Sequence, residues 1–147
     1  MGASSSVSRM TSESATTNKR LVRRFYKEVY VDWNRALVDQ VLSPQFISHD
    51  WPPGGPTGPQ AFWDYYSAIR SSVPDAHYEV DDLIAEDDKV VVRWRMLGTH
   101  RGVFQGIAPT NRAIVLKGIA IYRLANGMFV ERWVVSDVHG VLEQIRG

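Results

Sequence analysis

The sequence contains no cysteine, no long apolar run and no excess of charge of either sign. The absence of cysteine excludes a disulfide scaffold, a thiolate nucleophile, an iron–sulfur cluster and a zinc site with cysteine ligands. No segment has the length of a membrane span, and the start lacks the basic and then apolar pattern of a signal peptide. We therefore expect a soluble, cytoplasmic protein without a membrane partner.

The charge balance argues against a nucleic-acid partner. Lys and Arg together number 17, Asp and Glu together number 16, and the formal net charge is therefore +1. Such a chain has no strong positive field with which to hold a phosphate backbone. We expect no nucleic acid among its partners.

Several catalytic and cofactor-binding motifs are also missing. There is no G-x-S-x-G elbow for a nucleophilic serine, no G-x-G-x-x-G pattern and no phosphate-binding loop. The histidines show neither H-x-x-x-H nor H-E-x-x-H spacing. A metal site assembled from distant positions stays open, but no spacing supports one. We therefore expect neither a cofactor nor a metal.

A chain of 147 residues has the size of one domain. Nine of the first seventeen residues are Ser or Thr, and such a segment buries too little apolar surface to offset its ordering entropy. We predict a disordered leader over residues 1–17 and a single folded domain over residues 18–147. The opening Met-Gly-Ala-Ser-Ser-Ser also has the form of a myristoylation signal, but so short a match is weak.

Hydrophobic periodicity predicts helices in the first half of the domain and strands in the second. Thr57 and Gln60 have the spacing of a capping box, and Asn126-Gly127 is a strong hairpin signal. The predicted elements are helices over 21–33, 36–42, 57–72 and 138–145, with strands over 45–48, 78–84, 89–99, 112–124 and 128–137. Helices followed by an antiparallel meander predict the α+β class.

The last predicted strand carries the most informative carboxylate, Asp137. A period of two places Glu131, Trp133, Val135 and Asp137 on one face of the strand. Next to apolar side chains the pKa of a carboxyl group rises, which suits a general base that removes a carbon-bound proton. Asp137 equally has the position of an N-cap for the terminal helix. The residues alone do not decide between these two interpretations.

Two histidines are further candidates for the site. His49 follows the first predicted strand and precedes the proline-rich loop, where it could orient or protonate a substrate oxygen. A turn histidine bonded to backbone carbonyls is the alternative for His49. His100 opens the loop after the longest strand, and it is a candidate for substrate binding or for hydrogen bonding within that loop.

Aromatic side chains predict a site for a flat, hydrophobic guest. Trp33, Trp63 and Trp133 lie on three separate predicted elements, and Tyr66 lies on the same aromatic-rich helix as Trp63. Large rings are more often core residues than ligand contacts. Their spread over several elements is nevertheless typical of a cavity lining, so we take all four as candidates for substrate binding.

Several segments together resemble the SnoaL-like polyketide (ester) cyclases, over about residues 18–146. These segments are 82–94 (DLIAEDDKVVVRW), 98–102 (GTHRG), 104–110 (FQGIAPT), 121–123 (IYR) and 131–133 (ERW) with Asp137. The segment 46–50, which contains His49, is similar to the strand that enters the pocket in this family. The resemblance rests on all these segments together, because each segment alone is short.

The resemblance implies a fold, an assembly and a reaction. The fold would be the cone-shaped α+β barrel of nuclear transport factor 2, in which N-terminal helices wrap a curved antiparallel sheet. Members are usually homo-oligomers, often homodimers, and close a ring in an aromatic polyketide methyl ester by a cofactor-free intramolecular aldol reaction of secondary metabolism. The acid/base aspartate of the family maps onto Asp137, which favours its catalytic interpretation.

Three functions follow as hypotheses. The first is a cofactor-independent cyclase in which Asp137, helped by His49, closes a ring in a hydrophobic, carbonyl-rich small molecule. The second keeps the pocket but changes the reaction to epoxide opening, a pericyclic step or hydroxylation. The third is a module that binds a small molecule without catalysis.

Overall fold

The computed structural model describes the backbone of residues 2–147 and the side chains from residue 14 onward. Its helices are α1 (Gly2–Phe25), the π-helix π1 (Tyr26–Val31), α2 (Arg35–Val41), α3 (Gly58–Ser72) and α4 (Val138–Arg146). Its strands are β1 (Leu42–Ser48), β2 (His77–Glu86), β3 (Lys89–Thr99), β4 (Ala113–Ala125) and β5 (Met128–Ser136). Within this part of the chain no helix is both long and apolar enough to cross a bilayer.

The predicted leader covers residues 1–17, and the side chains of residues 1–13 lie outside the described part of the structure. Helix α1 runs through residues 14–17, which are described. The division into a disordered leader and one domain stays a prediction.

The five strands form one sheet in the order β1-β5-β4-β3-β2. The pairs β2–β3, β3–β4 and β4–β5 are antiparallel, as predicted, and Asn126 and Gly127 turn the last hairpin with φ of 52° and 75°. The pair β1–β5 is parallel, so the sheet is mixed rather than purely antiparallel. Because β1 leads into α3 and not into a hairpin, no tight turn fixes its direction. The fold is the expected α+β cone, with β1 and β2 as open edges.

Alternation along the strands gives the sheet a buried inner face and an exposed outer face. On β3 the residues Val90, Val92, Trp94 and Met96 are buried, while the residues between them are more exposed. Helix α1 and π1 pack over the inner face against β2 and β3. The side chains that they bring to the core are Val22, Phe25, Tyr26, Val29 and Tyr30.

Helix α4 covers the part of β4 that β5 does not reach. The side-chain amide of Gln144 donates to the carbonyl of Val115 at 3.0 Å and accepts from its N–H at 2.8 Å. The side chain therefore completes the backbone bonding of β4 as a neighbouring strand would, which satisfies an otherwise open edge.

The predicted capping box at the start of α3 is wrong, although the helix begins where it was expected. Thr57 occupies the N-cap position, but its hydroxyl donates to the carbonyl of Pro44 at 3.3 Å and makes no cap bond. The side chain of Gln60 bonds Asp64 and Arg35 instead of returning to Thr57. The preceding loop folds back on β1, and this packing directs both side chains away from the helix end.

Gly118 on β4 is required by the close approach of a tryptophan. It pairs with Trp94 across the sheet, and a Cβ at position 118 would lie 2.2 Å from the Trp94 ring. Since the ring is part of the core at 7% exposure, it cannot move aside without disturbing its neighbours.

We expect Gly118→Ala to lower the free energy of unfolding by about 1–3 kcal/mol, the usual cost of overpacking a core. Urea denaturation of Gly118→Ala, Trp94→Leu and the double variant measures it. The double variant should recover part of the loss, because the smaller side chain removes the clash. Ala113→Val, on the exposed face of the same strand, is the control. Equal stability of Gly118→Ala and the wild type would contradict the packing described here.

Candidate active site

The inner face of the sheet contains one fully buried cation, Arg132 on β5, which is 1% exposed. Its Nε donates to Ser48 Oγ at 2.8 Å, and its Nη1 donates to the hydroxyls of Tyr30 at 3.1 Å and Tyr66 at 2.6 Å. Asp50 is the carboxylate that faces it, with Oδ1 3.9 Å from Nη2. These contacts bring together β1 and the loop after it, π1, α3 and β5.

Four phenols surround the cation, and we call Tyr26, Tyr30, Tyr66 and Tyr122 the tyrosine cluster. Tyr122 lies opposite Arg132 on β4, and its hydroxyl is 3.0 Å from the hydroxyls of both Tyr26 and Tyr30. The hydroxyl of Tyr30 donates to that of Tyr66 across 3.5 Å. The hydroxyls therefore form one connected network that ends on the guanidinium.

The electrostatics keep Tyr26, Tyr30 and Tyr66 neutral and Arg132 charged. Burial, the largest cause, raises the pKa of the Tyr26, Tyr30 and Tyr66 phenols well above 10, while nearby Arg132 opposes this rise. Burial by itself lowers the pKa of the Arg132 guanidinium, but the phenols and Asp50 raise it, and the result lies above its ordinary value. At neutral pH the site thus holds a permanent cation among neutral phenols that donate and accept hydrogen bonds.

Asp50 connects the cluster to the surface. Its side chain is 24% exposed, and it accepts a hydrogen bond from Ser48, which also accepts from Arg132. Tyr65, 39% exposed, lies beside it on α3 next to Trp51. A carboxylate at the rim, a cation behind it and aromatic walls are the components needed for proton transfer beside a developing negative charge.

The structure places His49 and Trp133 on the outer face, on the other side of the sheet from Arg132. Their rings stack at 4.9 Å between centroids, and His49 Nε2 is 2.8 Å from Glu131 Oε2. The bond to His49, together with Arg123, lowers the pKa of the Glu131 carboxyl. The alternation at the end of β1 therefore sends His49 outward and its neighbours Ser48 and Asp50 inward.

Asp137 caps helix α4, where its Oδ1 accepts from the N–H of Gly140 at 2.9 Å. It also lines a groove of about 820 Å³ on the outer face. Other residues of this groove are Arg93, Arg95, Lys117, Ile119 and Val135. Asp137 follows Glu131, the partner of His49, by six residues. At the rise of a β-strand this separates Asp137 from Glu131 by roughly 20 Å. Asp137 and His49 are thus not brought together, and their catalytic roles stay predictions.

The remaining predicted residues occupy two further places. Trp33 and Trp63 stack on each other at 4.2 Å, and Arg70 lies 4.5 Å over the Trp33 ring. His100 is fully buried, and its Nδ1 accepts from the N–H of Thr110 at 3.2 Å, which holds the loop after β3. Of the predicted residues, Tyr66 is the one that contacts Arg132.

The sequence interpretation missed Arg132 and three of the four tyrosines. The signal that could have found them is the alternation of side chains along a strand. By this alternation Arg132 shares a face with Val134, and Tyr122 shares one with Ala120 and Leu124. A charged residue on an otherwise apolar face marks a buried polar site. In the described part of the chain no group of three His, Asp or Glu side chains has the geometry of a metal site.

Comparison with known proteins identifies the family. The family model for the SnoaL-like polyketide cyclase matches residues 20–145. None of the curated proteins matches the chain.

Solved structures share the fold. IdmH of Streptomyces antibioticus, a candidate polyketide cyclase, superimposes with a TM-score of 0.77 at 24% identity, covering 87% of this chain and 97% of its own. TsrD of Streptomyces laurentii superimposes with a TM-score of 0.79 at 25% identity, covering 88% of this chain and 95% of its own. AclR of Streptomyces galilaeus, a candidate hydroxylase, superimposes with a TM-score of 0.73 at 21% identity, covering 88% of this chain and 81% of its own. With the family model matching most of its length, the chain belongs to the SnoaL-like polyketide cyclase family.

Proposed function

We propose that this protein closes a ring in a hydrophobic, carbonyl-rich small molecule of the polyketide type without a cofactor. The observation that supports this proposal is the buried Arg132 among neutral phenols, with the carboxylate of Asp50 at the rim. An intramolecular aldol closure needs a base for an acidic C–H group and stabilisation of an enolate oxygen. The two groups have these properties and lie next to each other.

In the proposed reaction Asp50 removes a proton from the carbon between two carbonyl groups, and Arg132 stabilises the enolate. The enolate carbon then attacks a second carbonyl carbon of the same molecule, forming the ring bond and an alkoxide. Protonated Asp50 returns its proton to the alkoxide, so the product has the mass of the substrate. Holding a flexible chain folded against Tyr65 and Trp51 lowers the entropic part of the barrier.

The Asp137 assignment from the sequence is the competing proposal, with the outer groove as its site. Lys117 lies in that groove and has no ion pair within the described residues. It supplies a cation for a developing negative charge there. The two proposals place the reaction on opposite faces of the sheet, so single substitutions separate them.

Epoxide opening is a second candidate function, and the contact between Arg132 and Asp50 is the observation that favours it. A water-adding mechanism with paired carboxylates around an arginine requires a second carboxylate. Among the described residues Arg132 forms an ion pair with one carboxylate, that of Asp50. The structure therefore supports ring closure better than hydrolysis.

We expect Asp50→Asn to reduce turnover by at least about 100-fold, since general-base catalysis contributes this much. The assay is mass spectrometry of purified protein with polyketide methyl esters and terpenoid epoxides. A product of unchanged mass indicates ring closure, a gain of one water epoxide opening, and a gain of one oxygen hydroxylation. Tyr66→Phe, which removes a single hydroxyl bonded to Arg132, should lower turnover less.

Asp137→Asn is the matched variant, because Asn is as good an N-cap as Asp and keeps α4 in place. We expect it to retain turnover. Loss of turnover in Asp137→Asn with full activity in Asp50→Asn would move the site to the outer groove. No product from any compound would instead support a binding module.

The raised pKa values of the buried tyrosines predict that the free energy of unfolding falls at alkaline pH. The pKa of Tyr26, Tyr30 and Tyr78 is raised by folding, so above pH 10 the unfolded chain loses these protons before the folded one. Their contribution is complete below pH 10 and is lost as the pH rises, by up to about 1.4 kcal/mol per pH unit for each linked tyrosine. Urea denaturation between pH 9 and 12 measures this slope. Tyr26→Phe should make it shallower, and parallel curves for the two proteins would contradict the linkage.

We also propose that the outer face forms a homodimer. Val135 and Ile84 are 79% and 64% exposed. Cross-strand pairs build two adjacent apolar rows on this face, one of Val135 and Ile119 and the other of Trp133, Ile121, Val91 and Ile84. Charges of both signs border these rows, with Lys117 and Asp137 at one end. A second copy related by a two-fold axis would match apolar to apolar and acid to base.

We expect the wild type to sediment as a dimer at micromolar concentration and Val135→Lys as a monomer, because a charge in an apolar interface is costly. Val103→Lys is the matched control, since Val103 is 62% exposed but lies outside the strands. A monomeric wild type, or dissociation by both substitutions alike, would argue against the outer face as the interface.

A further inference from the structure

Two buried N–H groups beside the tyrosine cluster have no hydrogen-bond acceptor in the described part of the chain. Among the described residues the buried side-chain atoms without a partner are Trp51 Nε1, His100 Nε2 and Arg132 Nη2. The first and the last belong to neighbouring side chains, since the Arg132 guanidinium carbon is 5.9 Å from the Trp51 ring centroid. Folded proteins pair nearly all such groups, so unpaired donors on two neighbouring side chains point to an acceptor from a ligand.

Both donors are held in fixed positions. Arg132 is tied by its bonds to Ser48, Tyr30 and Tyr66. Trp51 follows a turn in which its N–H donates to Ser48 O at 3.0 Å, and its ring packs against Phe46 at 5.9 Å and Tyr65 at 5.8 Å. Donors that need no rearrangement stabilise a charge that develops on a bound oxygen.

The chemistry of the two donors defines the ligand. Indole and guanidinium nitrogens donate and do not accept, and the guanidinium is a permanent cation, so together they favour an anionic oxygen. Asp50, whose Oδ1 is 3.9 Å from Nη2, disfavours a ligand with a full localised charge at the same place. An enolate of a 1,3-dicarbonyl compound meets both conditions, because its charge is shared between two oxygens.

We propose that Trp51 Nε1 and Arg132 Nη2 form a two-donor site for one oxygen of a 1,3-dicarbonyl enolate. This inference deepens the proposed function and rests on it for the reaction in which the enolate arises. Binding itself is measurable without turnover. Trp51 thereby becomes a specificity-determining residue, which recognises the ionised form of the substrate.

The test uses dimedone, a cyclic 1,3-diketone that is largely an enolate anion at pH 7, and its neutral O-methyl enol ether. The chain has five tryptophans, so a nitrogen–proton correlation spectrum shows five indole signals, and the one missing in Trp51→Phe belongs to Trp51. We expect dimedone to move this signal downfield in a saturable manner. The enol ether should bind about tenfold more weakly, since it keeps the shape but not the charge.

Trp51→Phe keeps an aromatic ring against Phe46 and Tyr65 but removes the donor, and should weaken dimedone binding by about tenfold. Trp94→Phe, which removes a different inner-face indole, is the matched control and should bind dimedone as the wild type does. The same spectrum shows whether each variant is folded. A shift of the Trp51 signal with dimedone and a weaker complex in Trp51→Phe support the proposal.

Two results would overturn it. One is a Trp51 signal that dimedone does not move, and the other is equal affinity of Trp51→Phe and the wild type, as a retained structural water alone would give. Failure of the proposed function looks different: dimedone then binds at Trp51, but no polyketide ester is converted. Full turnover by Trp51→Phe with unchanged dimedone affinity would refute the two-donor site and leave the cyclase assignment standing.

Discussion

The structure depends on how one buried charge is accommodated. Removing a guanidinium from water costs several kcal/mol even after relaxation. Among the described residues the carboxylate that faces Arg132 is Asp50, and at 3.9 Å it lies beyond direct hydrogen-bond distance. The stabilisation of Arg132 comes from the oxygens of Ser48, Tyr30 and Tyr66. Since these oxygens come from β1, π1 and α3, the helices and the sheet must assemble together before the charge is satisfied. The same requirement makes the cluster rigid, which is what a site for a developing negative charge needs.

Two tyrosines from one helical segment reach the same partner. Tyr26 and Tyr30 are four residues apart, a spacing that places both on one face of a helix, and both hydroxyls meet Tyr122. The backbone bonds of π1 span five residues, as in the 3.0 Å bond from Asp32 N to Lys27 O, and such wide turns occur often at functional sites. Two residues after π1, Trp33 has a φ of 61°, which is strained for a bulky side chain. The contacts of the Trp33 ring with Trp63 and Arg70 offset that strain.

Local patterns sufficed for most of the fold but not for the site. The bounds of β3 were predicted to the residue, and the helix at 36–42 differed by one residue at each end, because alternation, helical spacing and proline act over a few residues. The parallel pairing of β1 and the failed capping box at Thr57 arise from contacts between separate segments, which no local pattern contains. The Arg132 network is of this kind, since its members are separated by up to 102 residues. The alternation along β5 separates Arg132 from Trp133 and Asp137, but it does not show which face is buried or what surrounds Arg132.

The two faces of the sheet differ in chemical character, and at the end of β1 the difference is decided residue by residue. At the end of β1 successive residues alternate, so Ser48 and Asp50 turn toward Arg132 while His49 turns toward Glu131 and Trp133. The outer side chains are exposed or paired in ions, as His49 is with Glu131. On the inner side Ser48 and Arg132 are buried, where the dielectric constant is low and electrostatic interactions are stronger than in water. A single substitution at this junction disturbs only the face toward which its side chain points. The inner and the outer surface can therefore vary independently at the end of one short strand.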